Sequence, residues 1–291
     1  FQGSKIDWIK ASLRYFKLIS NTEYQKYYAH SGRTVFRVIL IELLSKIRKI
    51  YRKRFIDKYS HTDVDSDEKF VYFPLGLEPE RTILVPAPFY SNQLEAIKNV
   101  AKSLPVDYVL YVKEHPMQKV WGWRSASYYK EILKLPNVRL VNTSVPNGKL
   151  VQNCSLVVSV LGTPALEAAF REKPSIVFGD VLFDSLPSVL RVQNLEELPK
   201  LIKTGLNTKV NLSDVNKFVN MIEKNSFEYD DNDFILRIKD RFFYSGYLYD
   251  VNIPISEMVI FLEENKKIYN LLGEQHLKKI HQSKNQKLKN S

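Results

Sequence analysis

Cysteine is almost missing from this sequence: Cys154 is the only one in 291 residues. A lone thiol excludes an internal disulfide and any cysteine-rich metal site, and it suits a reducing, cytosolic setting. No run of eighteen apolar residues occurs, which excludes an ordinary spanning helix, and no secretory signal pattern opens the chain. Phe1-Gln2-Gly3-Ser4 looks like the remnant of a cleaved tag and no initiator Met follows it, so the native start is hidden. A shortened form of a longer protein is the expectation. Zinc-finger, helix-turn-helix and RNP-like patterns are absent, so no nucleic-acid partner is expected.

Acidic residues are scarce at both ends. Residues 5–54 hold 13 Lys and Arg against Asp7, Glu23 and Glu42, and residues 266–291 hold 7 Lys against Glu274, although the whole chain carries a net charge of +11. The body between is therefore mildly acidic. Basic ends of this kind either meet an anionic surface, such as the inner face of a membrane, or are solvated helix faces and a disordered tail. The 44% hydrophobic content is enough for a real core, in one large domain or two small ones.

What is present falls into ordered blocks. After residues 1–4, residues 5–59 read as basic amphipathic helices interrupted near Ser31-Gly32-Arg33, with Ile6, Ile9, Leu13 and Phe16 at helical spacing. The second helix is basic enough to lie on a bilayer and equally suited to packing on a neighbouring domain. Polar residues 60–69 predict a linker. From Phe70 the pattern alternates: strands at 70–75, 107–112, 138–141, 155–160, 175–178 and 189–192, with helices between them. That series predicts an α/β domain over 70–205, a Rossmann-like parallel sheet with helices on both faces. Residues 206–272 predict a C-terminal helical segment, and 273–291 a basic disordered tail.

The strand 155–160 ends in Gly162-Thr163-Pro164, and a helix resumes at Ala165. Thr163 suits an N-cap, Pro164 the first helical position, and Glu167 the first turn. This turn either holds an anion at the carboxyl edge of the sheet or simply reverses the chain tightly. Lys113-Glu114-His115-Pro116 follows the strand 107–112 and comes to the same edge, where His115 and Lys113 suit a phosphate and Pro116 stiffens the turn. Glu78 and Glu80 reach that edge from the first strand, as a general base, a sugar-hydroxyl clamp, or partners for Arg81 and Lys113. Trp121-Gly122-Trp123 forms an aromatic lip or packs on the domain, and the cluster Tyr244 to Tyr249 is equally open.

Phe70 to Leu75, Glu78-Pro79-Glu80-Arg81-Thr82, Val112-Lys113-Glu114-His115-Pro116 and Gly162-Thr163-Pro164-Ala165-Leu166-Glu167-Ala168 together resemble bacterial capsule and surface polysaccharide biosynthesis proteins. The resemblance covers about residues 70–185 and extends to Kdo transferases and bacterial sialyl- and polysialyltransferases. It implies the donor-binding half of a GT-B glycosyltransferase, with His115 and Pro116 on the nucleotide phosphate. Ser159, Gly162 and Thr163 would hold the same phosphate, and Glu167 would stand near the ribose or sugar. It also implies that the acceptor-binding half, which usually carries the catalytic carboxylate, belongs to a preceding domain.

The reading that follows is a metal-independent glycosyltransferase with no cofactor, cytoplasmic and peripheral to the membrane. It would use a nucleotide-sugar donor, CMP-linked such as CMP-Kdo in preference to UDP- or GDP-linked, and a glycan or glycolipid acceptor. Glu78, Glu80 and His115 are its candidate catalytic residues. The alternative is a non-catalytic nucleotide- or glycan-binding scaffold of a polysaccharide assembly complex. A hydrolase or epimerase would need Glu167 or Glu78 as a base near Thr163.

Overall fold

A computed structural model describes residues 4–19, 35–65, 67–78, 81–120, 122–248 and 251–289. Helices α1 (Lys5–Ile19) and α2 (Val35–Tyr59) come first. A strand-helix series follows: β1 (Phe70–Pro74), α3 (Gln93–Ser103), β2 (Val109–Lys113), α4 (Ala126–Leu133), β3 (Val138–Val141), α5 (Asn147–Asn153), β4 (Leu156–Ser159), α6 (Pro164–Phe170), β5 (Ser175–Val177), β6 (Val189–Arg191) and α7 (Leu198–Asn207). Helices α8 (Leu212–Asn225), α9 (Asp231–Phe242), α10 (Ile255–Glu264) and α11 (Lys266–Lys289) follow it.

The six strands form one parallel sheet in the order β3-β2-β1-β4-β5-β6. β1 shows why these sequences become central strands. Its five residues are all buried; Val71 and Phe73 pack with Ile97 and Val100 of α3, Ile132 of α4 and Ile202 of α7, whereas Phe70 and Tyr72 pack with Leu150 and Val151 of α5. Alternate side chains leave opposite faces of a strand, so an apolar strand with no polar face needs helices on both sides. Each such large side chain contributes about 1.5–3 kcal/mol by leaving water. Gly205 lets α7 lie close on the sheet, since a Cβ there would stand 3.0 Å from Leu156 Cδ1.

The chain runs outward from β1 to β3 and then crosses back to set β4 on the other side of β1. That reversal leaves a crevice at the carboxyl ends of β1 and β4, where open α/β sheets hold ligands.

Two compact units are present, Leu40–Lys224 and Phe1–Ile39 with Asn225–Ser291. The boundary expected at residues 60–69 lies inside the first unit. His61 bridges to Val141 at the edge of β3, its amide donating to Leu140 O at 2.8 Å and its carbonyl accepting from Asn142 N at 2.9 Å. An exposed strand edge satisfied by the polar segment beside it makes that segment part of the sheet. In the second unit, Phe242 and Phe261 meet edge to face with centroids 5.0 Å apart, and Phe234 stands 6.2 Å from Phe261. Asp230 caps α9, accepting from Asp233 N at 3.0 Å.

Asn265 turns its side chain to Phe261 O and separates α10 from α11. One expectation for the C-terminal part is corrected. Residues from Gly273 onward are helical as far as Lys289 and not a disordered tail. That stretch is rich in Lys, Gln and Leu, which are good helix formers, and one glycine costs only about 1 kcal/mol against them.

Candidate functional site

The crevice between the ends of β1 and β4 is a cleft of about 280 Å³. Its walls come from Tyr72 and the 74–77 segment after β1, Lys113 to Pro116 after β2, Asn147 at the start of α5, and Leu161 to Pro164 with Glu167 around the start of α6. The Lys113-Glu114-His115-Pro116 and Gly162-Thr163 segments, separated by a whole crossover in sequence, face one space.

Strand alternation decides where each residue of the first segment goes. Lys113 follows Tyr111 in parity, so it leaves β2 on the α5 side. It is 3% exposed and donates from Nζ to Val145 O and to Asn147 Oδ1, both at 2.5 Å. Tyr72 Oη donates to the same Asn147 oxygen at 3.2 Å. No carboxylate pairs with this ammonium among the described residues, and burial alone lowers its pKa to about 8. A buried cation held only by neutral oxygens, at the wall of an open cleft, suits an incoming anion.

His115 opens a short 3-10 turn beginning at Pro116 and caps it: Nδ1 accepts from Met117 N at 3.2 Å. In the neutral ring this assigns the proton to Nε2, a donor available at the cleft wall. Gly162 has φ +132°, where a side chain would be strained, and a Cβ there would lie 3.3 Å from Pro164 Cδ. Pro164 is the first residue of α6, as expected. Thr163, expected as the N-cap, is itself helical in backbone conformation (φ −59°, ψ −26°) and makes no cap. Its hydroxyl instead donates to Glu167 Oε1 at 3.2 Å. With α6 only seven residues long, Lys113 and His115 are the stronger anion-holding groups here.

Glu114 and Glu78 belong to a different arrangement. Glu114 is 2% exposed; its carboxylate accepts from Arg124 Nε at 2.9 Å, Tyr129 Oη at 2.6 Å and His115 N at 2.7 Å. Arg124 Nη1 lies 2.5 Å from Glu78 Oε2, and Gln93 donates to the other Glu78 oxygen. Gln93 also spans Gly76, accepting from its N and donating to its O at 2.7 and 3.2 Å. Of the partners expected for Glu78, Lys113 is turned to Val145 and Asn147 instead, and the Arg81 side chain lies outside the described ones; Arg124 and Gln93 hold the carboxylate.

Of the residues singled out in the sequence, Lys113, His115, Pro116, Gly162, Thr163 and Glu167 line the cleft. Glu78 is turned to Arg124. Ser159 is fully buried, outside the lining, and its hydroxyl has no hydrogen-bond partner among the described residues. Glu80 and Trp121 lie outside the described residues. Trp123 is 6% exposed and part of the core, so it forms no lip; Tyr244 and Tyr247 pack around Ala11 and Leu248. Tyr249 lies outside the described residues. Tyr72 and Asn147 were not found by sequence reasoning. The available signals were a hydroxyl inside a buried strand, which needs a partner, and an Asn directly after Pro146 at a helix start. Among the described residues no three His, Cys, Asp or Glu side chains cluster as a metal site, and no helix is long and apolar enough to cross a membrane. The Cys154 thiol is buried, which pushes its pKa up to about 12.

Among solved structures, the chain is similar to the β-Kdo 2,7 transferase KpsC of Thermosulfurimonas dismutans. The identity is 17%, 62% of this chain and 65% of that one are covered, and the TM-score is 0.37. It is also similar to the UDP-GlcNAc 2-epimerase of Methanocaldococcus jannaschii, at 16% identity, covering 55% and 43%, with a TM-score of 0.39. The spinosyn rhamnosyltransferase SpnG bound to spinosyn aglycone matches at 16% identity, covering 54% and 42%, with a TM-score of 0.36. The chain thus spans from 42 to 65% of the length of these three proteins. No curated protein sequence matches it significantly. The family model described as capsule polysaccharide biosynthesis protein matches residues 8–214, which take in most of α1, all of α2 and the whole sheet, and on that match the chain belongs to the capsule polysaccharide biosynthesis protein family.

Proposed function

We propose that this chain carries the donor-binding part of a glycosyltransferase of GT-B type that acts in surface polysaccharide synthesis, with the nucleotide-activated sugar held in the cleft at the β1/β4 reversal. The observation that supports this most is Lys113: a buried, unpaired ammonium opening on the same cleft as the His115 donor. Membership of the capsule family and the position of the cleft on a Rossmann-like sheet support the same reading.

In this reading the donor's phosphate accepts from His115 Nε2–H and faces the Lys113 ammonium. As the bond between the sugar's anomeric carbon and the phosphate oxygen breaks, negative charge grows on that phosphate, and both groups stabilise it. The acceptor hydroxyl oxygen forms the new bond to the anomeric carbon and gives its proton to a base. Glu167, held by Thr163, is assigned to a ribose or sugar hydroxyl. Glu78 is assigned to positioning, since Arg124 and Gln93 occupy its carboxylate; the base is therefore assigned to another part of the enzyme or to Glu80. The Lys113 ammonium and the neutral His115 donor take the phosphate in this reading without a metal, and no cofactor is invoked. A CMP-linked donor is favoured over UDP or GDP because the Lys-Glu-His-Pro segment resembles enzymes that use CMP-sugars.

Calorimetric titration with CMP, UDP and GDP tests this. One nucleotide should bind at micromolar to submillimolar Kd, and His115→Ala should weaken it by about 1.5–3 kcal/mol, the worth of a hydrogen bond to a charged group. Failure of the folded protein to bind any of the three would sink the donor-site reading and favour a scaffold.

A further inference from the structure

Helix α2 is mounted with its polar side inward. Arg52 Nη1 donates to the carbonyls of Gly122 and Trp123 at 3.2 and 2.8 Å, Lys49 Nζ to that of Val120 at 3.4 Å, and Ile56 is buried in the core of the same unit. At 100° per residue these three positions occupy an arc of about 60°. The opposite arc, about 120° wide by the same rotation, carries Leu40, Leu43, Leu44, Ile47, Ile50 and Tyr51, which are 38 to 58% exposed, and then Arg54 and Lys58, which close the stripe at its C-terminal end. Lys46 and Lys53 border this stripe on one side and Arg48 on the other. Over its whole length α2 carries eight Lys and Arg against only Glu42 and Asp57.

Charge decides what covers such a face. A second copy laid along the stripe would set one row of cations against another, which disfavours pairing. Anionic lipid headgroups complement the same borders. The stripe is about 17 Å long, too short to span a bilayer and suited to lying in its surface with the cations at headgroup level. Helix α1 repeats the design in its own unit: Ile6, Ile9, Leu13 and Phe16 are 50 to 63% exposed beside Lys10 and Lys17, while Ala11 on the other side is buried.

We infer that α2 is a membrane-surface helix, with the Leu40 to Tyr51 stripe entering the headgroup boundary of an anionic phospholipid bilayer and Lys46, Arg48 and Lys53 meeting the lipid phosphates. The inference is independent of the cleft. Co-sedimentation of the full chain with vesicles tests it. Binding to vesicles containing phosphatidylglycerol should exceed binding to pure phosphatidylcholine by about tenfold or more and should fall steeply with added salt. Leu44→Glu with Ile47→Glu should remove about nine-tenths of that binding while leaving the melting temperature unchanged, since both side chains already face solvent. Equal binding to both vesicle types, or none, overturns the proposal. So does a dimer, seen by light scattering, that the same double substitution dissolves in a protein that ignores vesicles.

Discussion

Lys113 and Glu114 are chain neighbours, both buried and both charged, yet they sit in regions of opposite character. Glu114 enters a closed network in which Arg124, Tyr129 and a backbone amide donate to both of its carboxylate oxygens. Lys113 enters a half-filled one, with two neutral oxygens and an open cleft beside it. The difference teaches how to tell a polar group that holds the fold from one that waits for a ligand. Burial alone does not separate them, and the state of their partners does.

The largest effect should come from breaking the closed side. Glu114→Leu leaves the buried Arg124 with the more exposed Glu78 as its one carboxylate among the described residues, beside the Gly76 carbonyl, and strips Tyr129 of its acceptor. It should cost about 3–5 kcal/mol in urea unfolding. A loss below about 1 kcal/mol would erase the contrast between the two regions.

On the open side the signs should split. Lys113→Met should weaken nucleotide binding by about 1.5–3 kcal/mol in calorimetry while raising the urea midpoint, because the variant no longer desolvates a cation on folding. A variant that loses binding and stability together would place Lys113 with Glu114 as a structural group.

The pH dependence sharpens the same point. The Lys113 pKa is lowered from 10.5 to about 8 by burial, so between those values the unfolded chain binds more protons than the folded one. The Lys113 contribution to stability should therefore rise as pH increases from about 8 to 10.5, by an amount on the order of 1–2 kcal/mol, discounted because the cleft admits water. The buried Cys154 thiol acts with the opposite sign above about pH 9, so the rise is read as the stability of the wild type relative to Lys113→Met, which shares every other group. Nucleotide affinity should fall over the same range as the ammonium is lost.

The smallest effect belongs to Ser159, whose hydroxyl is buried without a partner and outside the cleft lining. Ser159→Ala should leave nucleotide affinity unchanged and stabilise the protein by up to about 1 kcal/mol. A clear loss of affinity would return Ser159 to the site.

Much of this was legible in the sequence. The apolar strands, the breaks at Gly162 and Pro164, and the two segments at one sheet edge follow from periodicity and turn chemistry, which act within a few residues. The boundary at residues 60–69 did not, because the docking of His61 on β3 is a contact across some eighty residues. Nor did the helical run past Gly273, because a basic chain end has the composition of a tail while its Lys, Gln and Leu residues carry a helix through a single glycine.

Local pattern along the chain is enough to make six strands alternate with helices and to bring a Lys, a Glu, a His and a Pro off the second of them together. Their separate fates are set by contacts between segments distant in the chain. Parity along β2 sends Lys113 toward Asn147 and Tyr72, while Glu114 is taken by Arg124, ten residues on, and Tyr129, on α4. Those partners arrive by folding, and a residue's chemistry depends on whether they satisfy it.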